Sequence, residues 1–310
     1  MKDRHGFAWL AIFLAPSLAF AQAVRLPEDV PESVTVAGTK SQEVFRGFVR
    51  SFATANRLTG KMARWESGIC PTTVGLKPEF ANFISQHVKD IARQVGAPVS
   101  DRENCTPNIA VVFTTAPQEL LDSIRDLQPG LLGYFDNTDQ RNRLATVTHP
   151  IQGWYMSATQ DVRGKTQIDT PKTAGIGLEI PCEFCPGGHA YLPNATAYDT
   201  TGTRLGDGLR SEFYNVIIVA DRNKLATYEI GPLADYVALL ALTQVTSLDT
   251  CQQLPSIVNM LAGRCDEKSE VLTVNDKAYL RALYKAASDQ TLGIQQNQVA
   301  YQMEQELKGH

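Results

Sequence analysis

Six cysteines, at positions 70, 105, 182, 185, 251 and 265, constrain this chain more than any other feature, because pairs among them would close loops that any fold must respect. Whether they pair depends on the compartment, and the first 21 residues address that. Lys2 and Arg4 precede an apolar run from Phe7 to Phe20, and Ala19-Phe20-Ala21 supplies the small-residue pattern of a cleavage site. Residues 1–21 therefore read as a secretory signal peptide cut before Gln22. The apolar run, about fourteen residues, is too short to cross a hydrocarbon core of roughly 30 Å at 1.5 Å per residue, and no later stretch is apolar for long enough. The expected protein is periplasmic or secreted, without a membrane span, in an oxidising compartment where thiols pair. Six cysteines allow fifteen pairings. Proximity favours Cys70–Cys105, Cys182–Cys185 and Cys251–Cys265. The last needs its Cα atoms within about 7 Å, and a helix confined to about 255–262 by Pro255 would let the flanking segments fold back to meet.

Charge excludes some partners. The 29 basic and 33 acidic side chains give a formal net charge of −4, and removing Lys2, Asp3 and Arg4 leaves 27 basic against 32 acidic. Neither a basic stripe nor a Lys/Arg cluster remains, which argues against nucleic acid or anionic membrane surfaces as partners.

Residues 22–40, with Pro27 and Pro31 and no periodicity, read as an extended lead-in, and 41–310 as one α+β domain that turns helical from about 232. Thr39 and Gln42 stand at capping-box spacing, and Phe45, Phe48, Val49 and Phe52 recur at helical intervals, predicting a helix over about 41–57. A strand over 62–75, interrupted near Gly68 and Pro71, is followed by a helix from Pro78 to about Val95, closed by Gly96 and Pro98. Ile109–Phe113 reads as a buried strand. Together these form a β-α-β unit with parallel strands, which brings Cys70 and Cys105 to the same end of the sheet. A helix from Pro117 to Pro129-Gly130 and a strand over about 151–158 follow. The remainder of 133–212 is rich in Gly, Pro, Thr and Asp, and a long irregular stretch of this kind is where a binding surface is expected. Asn215–Ala220 and Leu225–Ile230, around Asp221 to Lys224, suggest a hairpin. The helix Leu233–Gln244 is apolar on every side and should be buried. Shorter helices are expected at 255–263, 275–286 and 296–307.

No catalytic motif stands out. Cys182-Glu183-Phe184-Cys185 has the spacing of a redox dithiol, but Pro186-Gly187-Gly188 is loop chemistry, so the motif fits a small disulfide better than a thiol oxidoreductase. With His189 it makes three ligands of a metal site that needs a fourth. His87 falls on the apolar face of its helix and His149 precedes Pro150. No histidines stand at i, i+4, and no nucleophile elbow, Ser-x-x-Lys or phosphate-cradling loop occurs. No metal and no cofactor are expected. Asp235, expected in the first turn of its helix where the dipole favours an acid, is the single candidate catalytic carboxylate. Asn194-Ala195-Thr196 has the form of a glycosylation acceptor.

The segments Gly231-Pro232-Leu233-Ala234-Asp235-Tyr236, Leu254-Pro255-Ser256-Ile257, Leu272-Thr273 and Tyr279-Leu280-Arg281-Ala282-Leu283-Tyr284 resemble, in this order, a family of secreted proteobacterial proteins without an assigned reaction. The layout is also similar to that of zincin peptidases: a β-α-β unit, further strands, then a central helix. A zincin carries His-Glu-x-x-His on that helix. Here the helix has neither residue, so the resemblance implies a mixed sheet and zincin-like α+β fold with the metal motif missing. The function expected is that of a disulfide-stapled, non-catalytic binding or envelope-accessory domain with an unidentified ligand or protein partner. The alternatives are a degenerate hydrolase using Asp235 and a thiol oxidoreductase using Cys182 and Cys185.

Overall fold

The computed structural model describes residues 32–102, 104–171, 177–181, 189–193, 198–201 and 206–308, with the backbone alone described for 32–41, 177–181 and 189–193. The chain divides at Thr39/Lys40 into two compact units. In the first, the described residues are helical. They belong to helix α1 (Glu32–Phe52). The lead-in expected to be extended over 22–40 is therefore helical from Glu32, and its residues 22–31 lie outside the described residues. At its other end α1 stops at Phe52, five residues short of expectation, where the apolar periodicity set by Phe48 and Phe52 gives out.

The second unit is an α+β domain around a five-stranded mixed sheet in the order β1 (Pro71–Val74), β2 (Ile109–Thr114), β7 (Arg210–Asp221), β3 (Ile151–Gln160), β4 (Thr166–Ile168). β1, β2 and β7 run parallel, and β3 is antiparallel to both β7 and β4. A separate two-stranded sheet pairs β5 (Gly177–Pro181) with β6 (His189–Pro193). The predicted β-α-β unit is present, with α2 (Pro78–Val95) between β1 and β2. Pro78 begins this helix, and Gly96 ends it in the left-handed region at φ 81°. Only the last part of the expected strand 62–75 is a strand. Met62, Arg64 and Ile69 make isolated bridges instead, because the chain bends to bury Trp65, whose Nε1 donates to Ala241 O at 2.8 Å.

Alternation along the strands sends Ile109, Val111, Val216 and Ile218 to one face and Ile217, Val219 and Trp154 to the other. The first face carries the main core. Helix α6 (Ile230–Leu242) crosses it with nine buried residues, from Leu233 to Leu242, as expected of a helix apolar all round. Around it pack α2, the end of α1, α7 (Val274–Lys285) and α8 (Leu292–Lys308), with Phe48, Phe52 and Tyr279 in ring contact. The second face is covered by α3 (Pro117–Leu127), a 3-10 turn at Pro129–Leu132 and α4 (Thr138–Leu144).

The predicted hairpin at 215–230 is not formed. The side chain of Asp221 caps a new helix by accepting from Asn223 N at 3.0 Å, so the chain turns from β7 directly into the short α5 (Arg222–Leu225) and then α6. Similarly, the helix expected at 255–263 is a single 3-10 turn, Ile257–Met260. Buried Asp276, which closes a capping box with Thr273 at the start of α7, accepts from Ser256 Oγ and Ile257 N and holds that turn in place.

Two disulfides staple this domain. Cys70–Cys105 spans 6.0 Å between Cα atoms and joins the start of β1 to the segment leading into β2. Cys251–Cys265 spans 5.4 Å and closes the loop that contains the 3-10 turn. Cys182 and Cys185 lie outside the described residues, as does the Asn194-Ala195-Thr196 sequence. No helix among the described residues is long and apolar enough to cross a membrane.

Candidate binding cleft

β3 pairs with different neighbours along its length. Asp221 N donates to Pro150 O, which fixes the hydrogen-bonded pairs with β7 and, by antiparallel alternation, points the main-chain groups of Ile151, Gly153 and Tyr155 away from β7. On that outer side β4 pairs only with residues 158–160, and Asp169 N adds one bond to Ser157 O. A bulge between Met156 and Ser157 separates the two lengths. The first half of β3 is thus an edge with no strand against it among the described residues.

A cleft of about 370 Å³ opens along this edge. Its walls are the segment Thr54–Arg57 beyond α1, the residues Leu132–Tyr134 at the end of the 3-10 turn, Gln140 and Arg143 on α4, and Gln244 beyond α6. Two glycines shape it. Gly133, at φ 89°, approaches β3 so closely that a Cβ would stand 2.5 Å from Tyr155 O. At Gly153 a Cβ would stand 2.7 Å from the Tyr155 hydroxyl, so the absence of a side chain lets the tyrosine lie across the strand. Its hydroxyl then reaches Leu240 O at 2.8 Å and Thr243 O at 3.2 Å, tying the cleft to the end of α6. Burial pushes this phenol far above its usual range, so it stays protonated and donates.

One end of the cleft is chemically closed. Asn56 Nδ2 donates to Ser157 Oγ at 2.7 Å and to Asp169 Oδ2 at 2.9 Å, Ser157 donates to the same carboxylate at 2.6 Å, and Thr159 donates to Asp169 Oδ1 at 2.8 Å. Asp169 is 5% exposed and fully engaged. Positive charge gathers in the same cleft. Arg57 Nη2 lies 3.2 Å from Asp136, while Arg143, exposed on the last turn of α4, makes no ion pair among the described residues. Two guanidinium groups and no Asp or Glu thus stand among the described residues that line the cleft, beside side-chain amides and hydroxyls and the apolar Ala55, Ala63, Leu132, Leu144 and Trp154.

The sequence candidates lie elsewhere. His87, on α2, is half-buried with its ring stacked on Phe83, and its Nε2 is 2.5 Å from Asp235 Oδ1. Asp235 Oδ2 accepts from Leu272 N at 2.8 Å. The expected position of Asp235 in the first helical turn needs correcting: α6 begins at Ile230, so these two hydrogen bonds hold the carboxylate and the helix dipole does not. Among the described residues no Ser, Thr, Cys or Lys side chain bonds to this pair, and neither member lines the cleft. His149 Nε2 is 2.9 Å from Asp249 at the surface. His189 lies on β6, where the backbone alone is described. Among the described residues no three His, Cys, Asp or Glu side chains gather as metal ligands. Of the stretch 133–212, where a binding surface is expected, residues between Gly133 and Ser157 contribute to the lining of the cleft. Arg57 and Gln244 fall outside that stretch and carry no local signal.

No family, curated protein or solved structure matches the chain.

Proposed function

We propose that this is an exported, non-catalytic binding domain, periplasmic or secreted, whose cleft beside the first half of β3 takes an anionic ligand. The observation that carries this reading is that Arg57 and Arg143 both line the cleft, with no acid among its described lining residues. Guanidinium groups are the donors best matched to carboxylate and phosphate oxygens, and pockets of roughly 300–1,000 Å³ are typical of ligand sites. Two disulfides within one domain support a life in an oxidising compartment.

The zincin-like layout is retained in the proposal as a scaffold only. α6 takes the place of the metal-bearing helix, with Asp235 and no histidine, and both carboxylate oxygens of Asp235 are occupied by His87 and Leu272. That is a positioning arrangement, and it favours binding over hydrolysis.

The experiment is thermal unfolding of wild type and the Arg57→Ala/Arg143→Ala variant against acetate, citrate and inorganic phosphate. A ligand that binds only the folded state raises the midpoint, by an amount that grows with the logarithm of its concentration once that exceeds Kd. Wild type should be stabilised by at least one of these anions and the variant by none. Equal shifts in both, or none in wild type, would defeat the reading. Export is checked separately by intact mass, which should match a chain beginning at Gln22.

A further inference from the structure

We infer that the ligand is the free C-terminal end of an extended peptide, an assignment that rests on the cleft being the binding site. The cleft offers two kinds of recognition group at once. Arg57 and Arg143 answer to negative charge, whereas the outward N–H and C=O of Gly153 are strand-edge groups, spaced to pair with another main chain. A phosphate or a small organic acid satisfies the first and leaves the second to water. A peptide satisfies both.

The shortness of the open edge requires the peptide to end there. Gly133 presses against the carbonyl of Tyr155, and from Ser157 onward the outer side of β3 belongs to Asp169 and β4. A chain paired at Gly153 cannot continue along β3 in that direction. Of the two chain ends, the one compatible with an excess of guanidinium groups is the carboxylate. A terminal carboxylate bound by two arginines receives charge-assisted hydrogen bonds, about twice as strong as neutral ones, and leaves no unpaired amide to bury. A side-chain carboxylate within a longer chain would bring main chain on both sides, which the closed edge excludes.

The test uses the mature protein and two pools of N-acetylated tetrapeptides with randomised residues, one with free C-terminal acids and one with C-terminal amides. Retention is measured by equilibrium dialysis and mass spectrometry. The acid pool should be retained more than the amide pool by about tenfold or more, and amides that carry Asp or Glu within the chain should gain nothing. Arg143→Ala should abolish the preference while circular dichroism and the unfolding midpoint stay as in wild type, and Arg143→Lys should keep part of it. Equal retention of acids and amides overturns the inference. So does failure to retain either pool, and in that case the anion shifts described above decide separately whether the cleft binds anions at all.

Discussion

His87 on α2 and Asp235 on α6 clamp two helices that lie 148 positions apart in the chain, with 2.5 Å between Nε2 and Oδ1. Because the second carboxylate oxygen accepts from Leu272 N, Asp235 also fixes the segment that leads into α7. The pair therefore joins three elements of the main core at one point near the surface.

Unequal losses follow from that arrangement. Asp235→Ala strands both the imidazole and a main-chain N–H and should cost about 2–3 kcal/mol, whereas His87→Ala removes one bond and should cost about 1–2 kcal/mol. Urea unfolding of the two variants and of the double variant measures this. The double variant should be less destabilised than the sum of the singles, since the two share a bond.

Removing the disulfides should rank with the loops that they close. Cys251–Cys265 spans 14 positions and Cys70–Cys105 spans 35. Chain entropy assigns about 3 and about 4 kcal/mol to the two. Paired Cys→Ser variants, unfolded in urea under non-reducing conditions, should show the larger loss for Cys70–Cys105. Peptide mapping without reduction should recover both pairs.

Gly75 follows β1 at φ 86°, with the position of a Cβ only 1.8 Å from Phe113 O. The clash is with main chain, which cannot rotate away. Gly75→Ala should therefore cost about 3 kcal/mol or more, combining left-handed strain with overpacking. By contrast Gly96→Ala, at a similar φ of 81° in open space, should cost about 1–2 kcal/mol. Parallel thermal melts separate the two.

Glu212 on β7 should give the protein a penalty that grows with pH. Burial raises its carboxyl pKa, the nearby charges of Glu66 and Asp169 raise it further, and the Thr166 hydroxyl partly offsets them. A carboxyl whose folded pKa lies above its unfolded one holds more protons folded than unfolded between the two values, so stability falls as pH rises through that window. Glu212→Gln should be more stable than wild type at neutral pH, and the advantage should vanish below the ordinary carboxylate range. Urea midpoints from pH 4 to 7, within about the span in which carboxyl groups titrate, would expose the opposite trend if the carboxylate were net stabilising.

Much of the fold was legible because local signals and tertiary burial agree. Pro78 and Gly96 bracket α2, Ile109–Phe113 is apolar because both faces of β2 are covered, and the all-round apolarity of α6 reports its burial. The signals failed where one residue outweighed a pattern. The apolar run Leu225–Ile230 looks like a strand, yet Asp221 caps a helix just before it. β7 starts at Arg210, five residues ahead of the apolar run, because in its first half only Ser211 and Phe213 are buried while Glu212 is half-buried and Tyr214 exposed. The cleft was less legible still. Arg57, Arg143 and Gly153 converge only because the edge of β3, the end of α1 and α4 meet in space, and no spacing rule connects their positions. Asp235 drew notice as a lone acid in an apolar helix, and its partners on α2 and before α7 were equally beyond the reach of spacing.

The bulge between Met156 and Ser157 divides β3 into two stretches answerable to different parts of the chain. Before it, the strand is held by β7 and faces the cleft. After it, the strand is held by both β7 and β4 and leads into the long excursion that returns at Arg210. The bulge thus works as an expansion joint: among the described residues the register from Ile151 to Met156 is set by β7 alone, and only beyond the joint does the strand also answer to β4 and, through Ser157, to Asp169.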